Sequence, residues 1–318
     1  MLVLNHRISS FGHLNQYGYT KDMKKVDNQL VVVTRTKDRP LFLKRAIKSV
    51  ASQTSKDFVH VIVNDNGDKS TVEDVVEKHK GSGYETKIVH VNTNGKMEQA
   101  SNAGVTAVDT KYVAVHDDDD TWHPECVEQA LKKLESSNNP GVVVRTNKIV
   151  EKIDEANTSI DIVKESEWMP DMKAINLYRQ CIENQMTPIT FIYKRAVYDE
   201  IGGYDEELPV MGDWDFGIRF LTKYDIDFLD PGFALANYHH RKFKAGAQGN
   251  TSYSGNDKKV IYGNYLMNKY LREEFKSGRI GPGYIMSKTK YDQNFMIRMI
   301  SKILPGSMGR SFLQRYKR

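Results

Sequence analysis

Cysteine is almost missing from this chain, with Cys126 and Cys181 alone among 318 residues. That excludes a disulfide framework and any CxxC metal or redox site, and leaves both as buried or incidental thiols. No apolar run approaches the roughly 18–20 residues that cross a bilayer. The opening Met1-Leu2-Val3-Leu4-Asn5 turns polar too soon for a secretory signal, so a cytoplasmic protein is expected. The phosphate loops GxxxxGKS/T and GxGxxG are absent, and the acidic stretches lack the glycine and distal glutamate of an EF-hand. There is no internal repeat and no low-complexity segment. What remains is an average soluble composition, 39% hydrophobic and 27% charged, which rules out global disorder. The length allows one large domain or two modest ones.

Charge is unevenly spread. Residues 287–318 hold eight basic residues against one acid, Asp292, so the formal charge of +5 belongs to this tail and the body is slightly acidic. Met296, Met299, Ile300 and Ile303 share one helical face there, with Arg298 and Lys302 towards the other. Pro305-Gly306 breaks that helix, and Met308, Phe312, Leu313 and Tyr316 make a second apolar stripe. Basic amphipathic pieces of this length cannot span a bilayer but can lie in an anionic headgroup layer. A peripheral contact with the inner face of the cell membrane through 287–318 is therefore expected, with packing on the protein's own core or a dimer contact as the alternatives. Nucleic acid is not expected as a partner, because no recognition motif accompanies the charge.

Along the chain, Gln29–Thr34 is a short β-branched run, the mark of a buried strand. Pro40 suits a helix start, and Leu41, Leu43, Ala46, Ile47 and Val50 give a 3.6-residue stripe to about Gln53. Strands at Phe58–Asn64, Thr86–Val91 and Lys111–His116 then alternate with helices at Ser70–Lys80, Met97–Val108 and Pro124–Ser136. This rhythm predicts an α/β fold with a mostly parallel sheet between helices. The second half is less regular. Gly141–Val150 reads as one strand, Asp154–Asp171 as a long polar loop, Lys194–Ile201 and Asp213–Lys223 as helices, and Phe233–Tyr238 as a strand. Arg241–Asn256 is rich in glycine, serine and asparagine, and Asp257–Phe275 is a long helix.

Ligands bind open parallel sheets in the crevice beyond the strands' carboxyl ends. Two polar clusters fall at such ends: Asn64-Asp65-Asn66-Gly67-Asp68, and Asp117-Asp118-Asp119-Asp120. Four adjacent carboxylates repel one another. Either they form a solvated acidic turn or a hard divalent cation, Mg²⁺ or Mn²⁺, neutralises them and bridges them to substrate phosphates.

At these residues the chain resembles a known family. Asp117-Asp118-Asp119-Asp120-Thr121-Trp122-His123-Pro124 resembles the D-x-D-D-x-W-x-P segment of the family 2 glycosyltransferases, which have the GT-A fold. Val31-Val32-Val33-Thr34 with Arg39-Pro40 and Ser49–Thr54 is similar to the family's first strand and helix. Val63-Asn64-Asp65-Asn66-Gly67 is similar to its V-x-D-D-G turn. Asn94-Gly95 with Ala100-Ser101-Asn102-Ala103-Gly104 resembles N-G…A-R-N-x-G. Ile201–Glu206 followed by Asp213-Trp214-Asp215-Phe216 resembles I-G-G-F-D-E…E-D-W-D-L. Five motifs in register cover roughly residues 29–240.

The resemblance implies an inverting, metal-dependent transferase moving a sugar from a nucleotide-sugar, UDP-linked, to a hydroxyl on a saccharide or lipid-linked saccharide acceptor. It assigns Asp65 to the uracil, Thr34 to the base, and Asn94, Lys96, Asn102, Asp117 and Asp118 to the rest of the nucleotide-sugar. It assigns Asp119, Asp117 and His240 (or its neighbour His239) to the metal, and Asp213 to the general base. It also implies a leader at 1–28, a catalytic domain at 29–256 with a nucleotide-sugar half at 29–124 and an acceptor half at 125–256, and a helical extension at 257–318. The sequence departs from the pattern at Ser101, where the family has arginine, so that a phosphate or base contact is missing or is supplied by Lys96, Arg35 or Arg241. It departs again at Gly212, where the family has glutamate, leaving Asp213 alone or with Asp215. Asn66 replaces the second turn acid. Trp122 and Trp214 can be packing or sugar platforms. A non-catalytic binding protein of the same fold and a nucleotidyltransferase are the competing readings; the latter lacks a glycine-rich loop after the first strand.

Overall fold

The β-branched runs become the middle of the molecule because each can bury both faces. The computed structural model describes residues 24–25, 28–81, 83–93, 95–154, 158–241, 249 and 256–303, with few side chains beyond 293. The first part runs β1 (Lys24–Lys25), β2 (Leu30–Thr36), α1 (Pro40–Ala51), β3 (Phe58–Asp65), α2 (Lys69–His79), β4 (Glu85–Val91) and α3 (Met97–Val105). It continues with β5 (Val108–Asp109), β6 (Tyr112–Val115), β7 (Thr121–Trp122), α4 (Cys126–Ser136), β8 (Gly141–Val144), β9 (Thr146–Ile153) and β10 (Ile160–Glu167). Then come α5 (Leu177–Ile182), β11 (Phe191–Lys194), α6 (Arg195–Ile201), α7 (Gly212–Leu221), β12 (Asp227–Leu229) and β13 (Ala236–His240). Two long helices follow, α8 (Asn256–Ser277) and α9 (Pro282–Ile303).

The main sheet has seven strands in the order β12-β8-β11-β6-β2-β3-β4. β6, β2, β3 and β4 are mutually parallel, and β11 enters antiparallel between β6 and β8. A smaller sheet, β10-β9-β13-β7, lies beyond the carboxyl ends of the central strands. All eight residues of β3 are buried, as its unbroken apolar reading demands. Helix α1 turns Phe42, Leu43, Ala46, Ile47 and Val50 inwards, matching the stripe in the sequence. A fully buried residue of this kind contributes about 1.5–3 kcal/mol. Helix α3 comes closer still. A methyl on Gly104 would sit 2.3 Å from Val33 Cγ1 and 2.9 Å from Val63 Cγ2, so only glycine lets α3 lie directly on β2 and β3.

Three expectations change. The single strand expected at Gly141–Val150 is two strands in different sheets, because the chain bends at Arg145, whose side chain ion-pairs with Glu167 and Asp230. The long polar loop contains β10, paired antiparallel with β9. Its residues are almost all exposed, so no apolar alternation announced it. The C-terminal helix begins at Pro282, and Leu266 and Met286 of the helical pair are buried against Cys181, Leu208 and Ile218. The first turn of this helix, ahead of the basic residues of 287–318, thus packs on the protein's own core. Tyr291, Met296 and Met299 are exposed, and residues 304–318 lie outside those described. Among the described residues no helix is long and apolar enough to cross a membrane.

Candidate active site

The parallel strands β2, β3 and β6 end together, and the acidic clusters follow them. Asp65 closes β3; its two oxygens accept from the Thr93 backbone N–H (2.8 Å) and hydroxyl (2.6 Å). Beyond β6 the four consecutive aspartates are met by arginines rather than left to repel one another. Arg35, at the end of β2, donates to Asp117 from Nε at 3.0 Å and pairs with it again through Nη2. Asp118 is buried, accepting from Thr36 Oγ1 (2.8 Å) and pairing with Arg39 (3.0 Å). Asp119 receives Arg39 (2.7 Å) and Arg241. Asp120 accepts the His239 backbone N–H (2.8 Å), fastening the turn to β13.

Behind this row lies an acid that the motifs do not contain. Glu151 of β9 is fully buried and pairs with Arg45 (2.7 Å), Arg241 (2.7 Å) and His239 Nδ1 (2.8 Å). The charges settle as these contacts dictate. Burial works against ionising Asp119, yet Arg39 and Arg241 outweigh it and hold the carboxyl well below its ordinary range. Burial pushes Asp118 up to about 6, with Arg39 opposing. It pushes Asp120 well up, helped by Asp119 and Asp117. The turn therefore offers the solvent chiefly Asp117, whose side chain is a quarter exposed, with ionised Asp119 beside it. Hard oxygens of this kind fit a Mg²⁺ or Mn²⁺ ion, which takes one or two carboxylates and completes its shell from phosphates and water. Among the described residues no group of three or more His, Cys, Asp or Glu is placed to hold a metal unaided.

Asp213 stands in the first turn of α7, after Met211, which sits in the left-handed region at φ 69°. A non-glycine residue held there is a local strain of the sort that persists at functional sites. Asn184 donates to Asp213 Oδ2 at 2.7 Å. Burial raises the proton affinity of Asp213, the Arg35 charge opposes this and Asp117 adds to it. Asp213 therefore lies within the electrostatic reach of the Asp117–Arg35 pair. Asp215, two residues on, is buried and tied to Arg219 (2.6 Å) and the Tyr270 hydroxyl (3.0 Å), so it braces α7. Next to Asp213 a cleft of about 520 Å³ opens between α5, α7, α8 and α9, lined by Met211, Trp214, Lys259, Met267 and Lys290 among others.

The remaining expected residues divide. The Thr34 side chain is buried and bonded to His60 (2.8 Å), leaving only its backbone for a base. Asn102 uses its whole amide on the protein: Oδ1 accepts from Tyr198 and the Tyr204 N–H, and Nδ2 donates to Tyr204 O and Glu206. It joins α3 to the turn after α6 and has no hydrogen bond left for a nucleotide. Lys96 is exposed ahead of α3, and Asn94 lies outside the described residues. His240 is buried, its ring 4.2 Å from that of Tyr238, while His239 belongs to the Glu151 network. Trp122 is core, donating to Ile189 O (2.8 Å). Ser101, where arginine was expected, receives Arg35 Nη1 at 2.9 Å. Reasoning from motifs missed Arg39, Arg45, Thr93 and Glu151. Glu151 had a signal: it lies between Ile149 and Ile153 on the inward face of β9, where an acid must have a partner.

The glycosyl transferase family 2 model matches residues 31–202, more than half of the chain. An uncharacterized glycosyltransferase of Methanocaldococcus jannaschii is 27% identical over 209 residues, 65% of this chain and 70% of that protein. One from Rickettsia prowazekii is 26% identical over 189 residues, 59% of this chain; the chain spans only 57% of that relative's length. Among solved structures, Staphylococcus aureus TarS 1-349 in complex with UDP-GlcNAc superposes with a TM-score of 0.58 at 17% identity, over 76% of this chain and 66% of that one. The mannosyltransferase PcManGT of Pyrobaculum calidifontis, in complex with GDP-Man and Mn²⁺, gives 0.55 at 13% identity, over 86% and 73%. The architecture they share with this chain is the GT-A fold.

Proposed function

Because this chain belongs to glycosyl transferase family 2, we propose that it is an inverting transferase moving a sugar from a UDP-linked donor to a hydroxyl of a saccharide acceptor. One observation carries the reading: Asp213, its proton affinity raised by burial, sits within the field of the strand-end pair Asp117 and Arg35. A general base facing a diphosphate site is what glycosyl transfer needs. Asp65 accepts from the uracil imide at the end of β3, which selects uracil over cytosine. Asp213 takes the proton of the acceptor hydroxyl as its oxygen attacks the anomeric carbon. The bond to the nucleoside diphosphate breaks on the opposite face, so the anomer inverts. Asp119 and Asp117 would hold Mn²⁺ or Mg²⁺, which when bound stabilises charge on the departing diphosphate. Arg35, Arg39 and Arg241 hold these carboxylates in place.

The acceptor side is the cleft beside Trp214, bounded by α8 and α9, which makes 29–256 the catalytic unit and the helical extension its acceptor wall. Trp214 offers a face on which a sugar can stack. The basic residues of 287–318 suit an anionic membrane surface and thus a lipid-linked saccharide of a surface polysaccharide or glycolipid. Screening UDP-, GDP- and dTDP-sugars with Mn²⁺ for hydrolysis and thermal shift tests the donor, with UDP-sugars expected to respond and no response overturning the reading. Co-sedimentation with anionic vesicles tests the tail: deletion of 287–318 removes binding, and equal sedimentation without it ends the membrane assignment.

A further inference from the structure

The backbone gives no reason for glycine at position 212. Gly212 is absent from the glycines with positive φ, so any L-residue could take its conformation. Its space is the constraint. A Cβ built there would lie 2.4 Å from Glu98 Cγ, 2.5 Å from Glu98 Cδ and 2.6 Å from Glu98 Oε1. The Glu98 side chain, rising from the first turn of α3, occupies the volume that a side chain at 212 would fill. Glu98 is only 3% exposed, and its Oε2 has no hydrogen-bond partner among the described residues. The nearest cation, Arg35 Nη1, is 3.8 Å away, beyond hydrogen-bond length. A buried, unpartnered carboxylate oxygen needs an explanation, and the next residue after Gly212 is Asp213. A parallel exchange is seen at Ser101, where Arg35 brings its guanidinium. The positive and negative groups that positions 101 and 212 do not supply arrive from 35 and 98.

We propose that Glu98 is a positioning residue for glycosyl transfer, supplying from α3 a second carboxylate beside Asp213 through the space left by Gly212. It acts through Arg35, whose guanidinium faces both Glu98, at 3.8 Å, and Asp117, and through the carboxyl group it places beside the base. The inference rests on the transferase reading and on Asp213 as its base. Turnover of the UDP- and GDP-sugar panel with Mn²⁺ is measured for wild type, Asp213→Asn, Glu98→Gln, Glu98→Ala, Gly212→Glu and Glu98→Ala/Gly212→Glu, with melting temperatures. Glu98→Gln and Glu98→Ala are expected to lower kcat at least ~10-fold while donor KM stays within ~3-fold. Gly212→Glu alone loses activity through crowding, and the double variant returns kcat to within ~3-fold of wild type, a coupling that a purely structural role does not produce. If the double variant does not fold, recovery by Glu98→Asp but not by Glu98→Gln serves in its place. Wild-type kcat in Glu98→Gln and Glu98→Ala, or a folded double variant without recovery, overturns the inference. A wild type inactive on the whole panel, or an active Asp213→Asn, overturns the transferase reading instead.

Discussion

Two groups of acids flank one sheet edge and are treated in opposite ways. The Asp117–Asp120 turn meets a guanidinium or a backbone N–H at every carboxylate, with Glu151 behind it holding Arg45 and Arg241. Among the described residues Glu98 faces the Arg35 guanidinium at 3.8 Å, and Asp213 receives the Asn184 amide and the Trp214 backbone N–H, with the Lys259 charge in its field. The first cluster is held by its partners even where burial raises a carboxyl, as at Asp118 and Asp120. The second keeps raised proton affinities, with Glu98 pushed up to about 8 chiefly by burial. A fully paired acid is an anchor; an acid left short of partners can exchange a proton. The contrast separates holding the donor from activating the acceptor.

The largest effect is expected where the anchor meets the donor. Asp119→Ala removes the acid shared by Arg39 and Arg241 and a proposed metal ligand, and turnover should fall by about 10²–10³-fold, the usual cost of losing one such charge stabiliser. EDTA in excess should abolish donor binding by calorimetry. Full activity in EDTA would leave the arginines as the only cations acting on the diphosphate. Next comes the opposite cluster. Asp213→Asn should retain donor affinity and lower kcat by at least ~10²-fold, the usual share of a general base. NMR of the first-formed product should show the inverted anomer, and a retained anomer would remove Asp213 from that role.

Glu151→Ala breaks the comparison from behind. It leaves Arg45, Arg241 and His239 sharing a buried place without their acid, and removing one partner of a buried pair costs about 3 kcal/mol or more. Urea unfolding should show that loss, and Glu151→Gln should recover part of it through hydrogen bonds. A change under ~1 kcal/mol would mean that the arginines relax to solvent and that the network is not an anchor.

The sequence made the donor half readable because each of its elements is a local pattern. β-branched runs gave β2, β3 and β6, the Leu43–Val50 stripe gave α1, and the strand-end acids marked the edge. It misled where the cause is distant. Four aspartates in a row do not reveal the arginines that share them, Arg35, Arg39 and Arg241, which come from 35 to 241 in the chain. Asn102 looks like a ligand residue until Tyr198, Tyr204 and Glu206 take up its amide. β10 was invisible because a strand exposed along its length has no apolar face to repeat. Gly212 read as a missing acid, and only the fold places Glu98 in its space.

The smallest effect is a dependence of stability on pH. The folded state raises the Glu98 carboxyl from an ordinary 4.5 to about 8, with burial outweighing Arg35 and with Asp213, Asp117 and Asp215 adding to the rise. Between those values the folded chain binds a proton that the unfolded chain has lost, so stability falls as pH rises through the window and levels off above about 8. Asp119 acts in the other direction: its lowered carboxyl adds stability above 3.8 that is lost as pH drops further. Asp118, raised to about 6, contributes a decline that ends near that pH. Asp120 and Asp213 are raised as well, so the share of Glu98 between pH 6 and 8 is the difference in slope between wild type and Glu98→Gln. Stability of the wild type from urea unfolding should decline across the interval by on the order of 1 kcal/mol more than that of Glu98→Gln, less than the full shift because Arg35 can move towards the ionised carboxylate. Equal slopes in the two proteins would place Glu98 among the ionised, partnered acids and erase the difference between the two clusters.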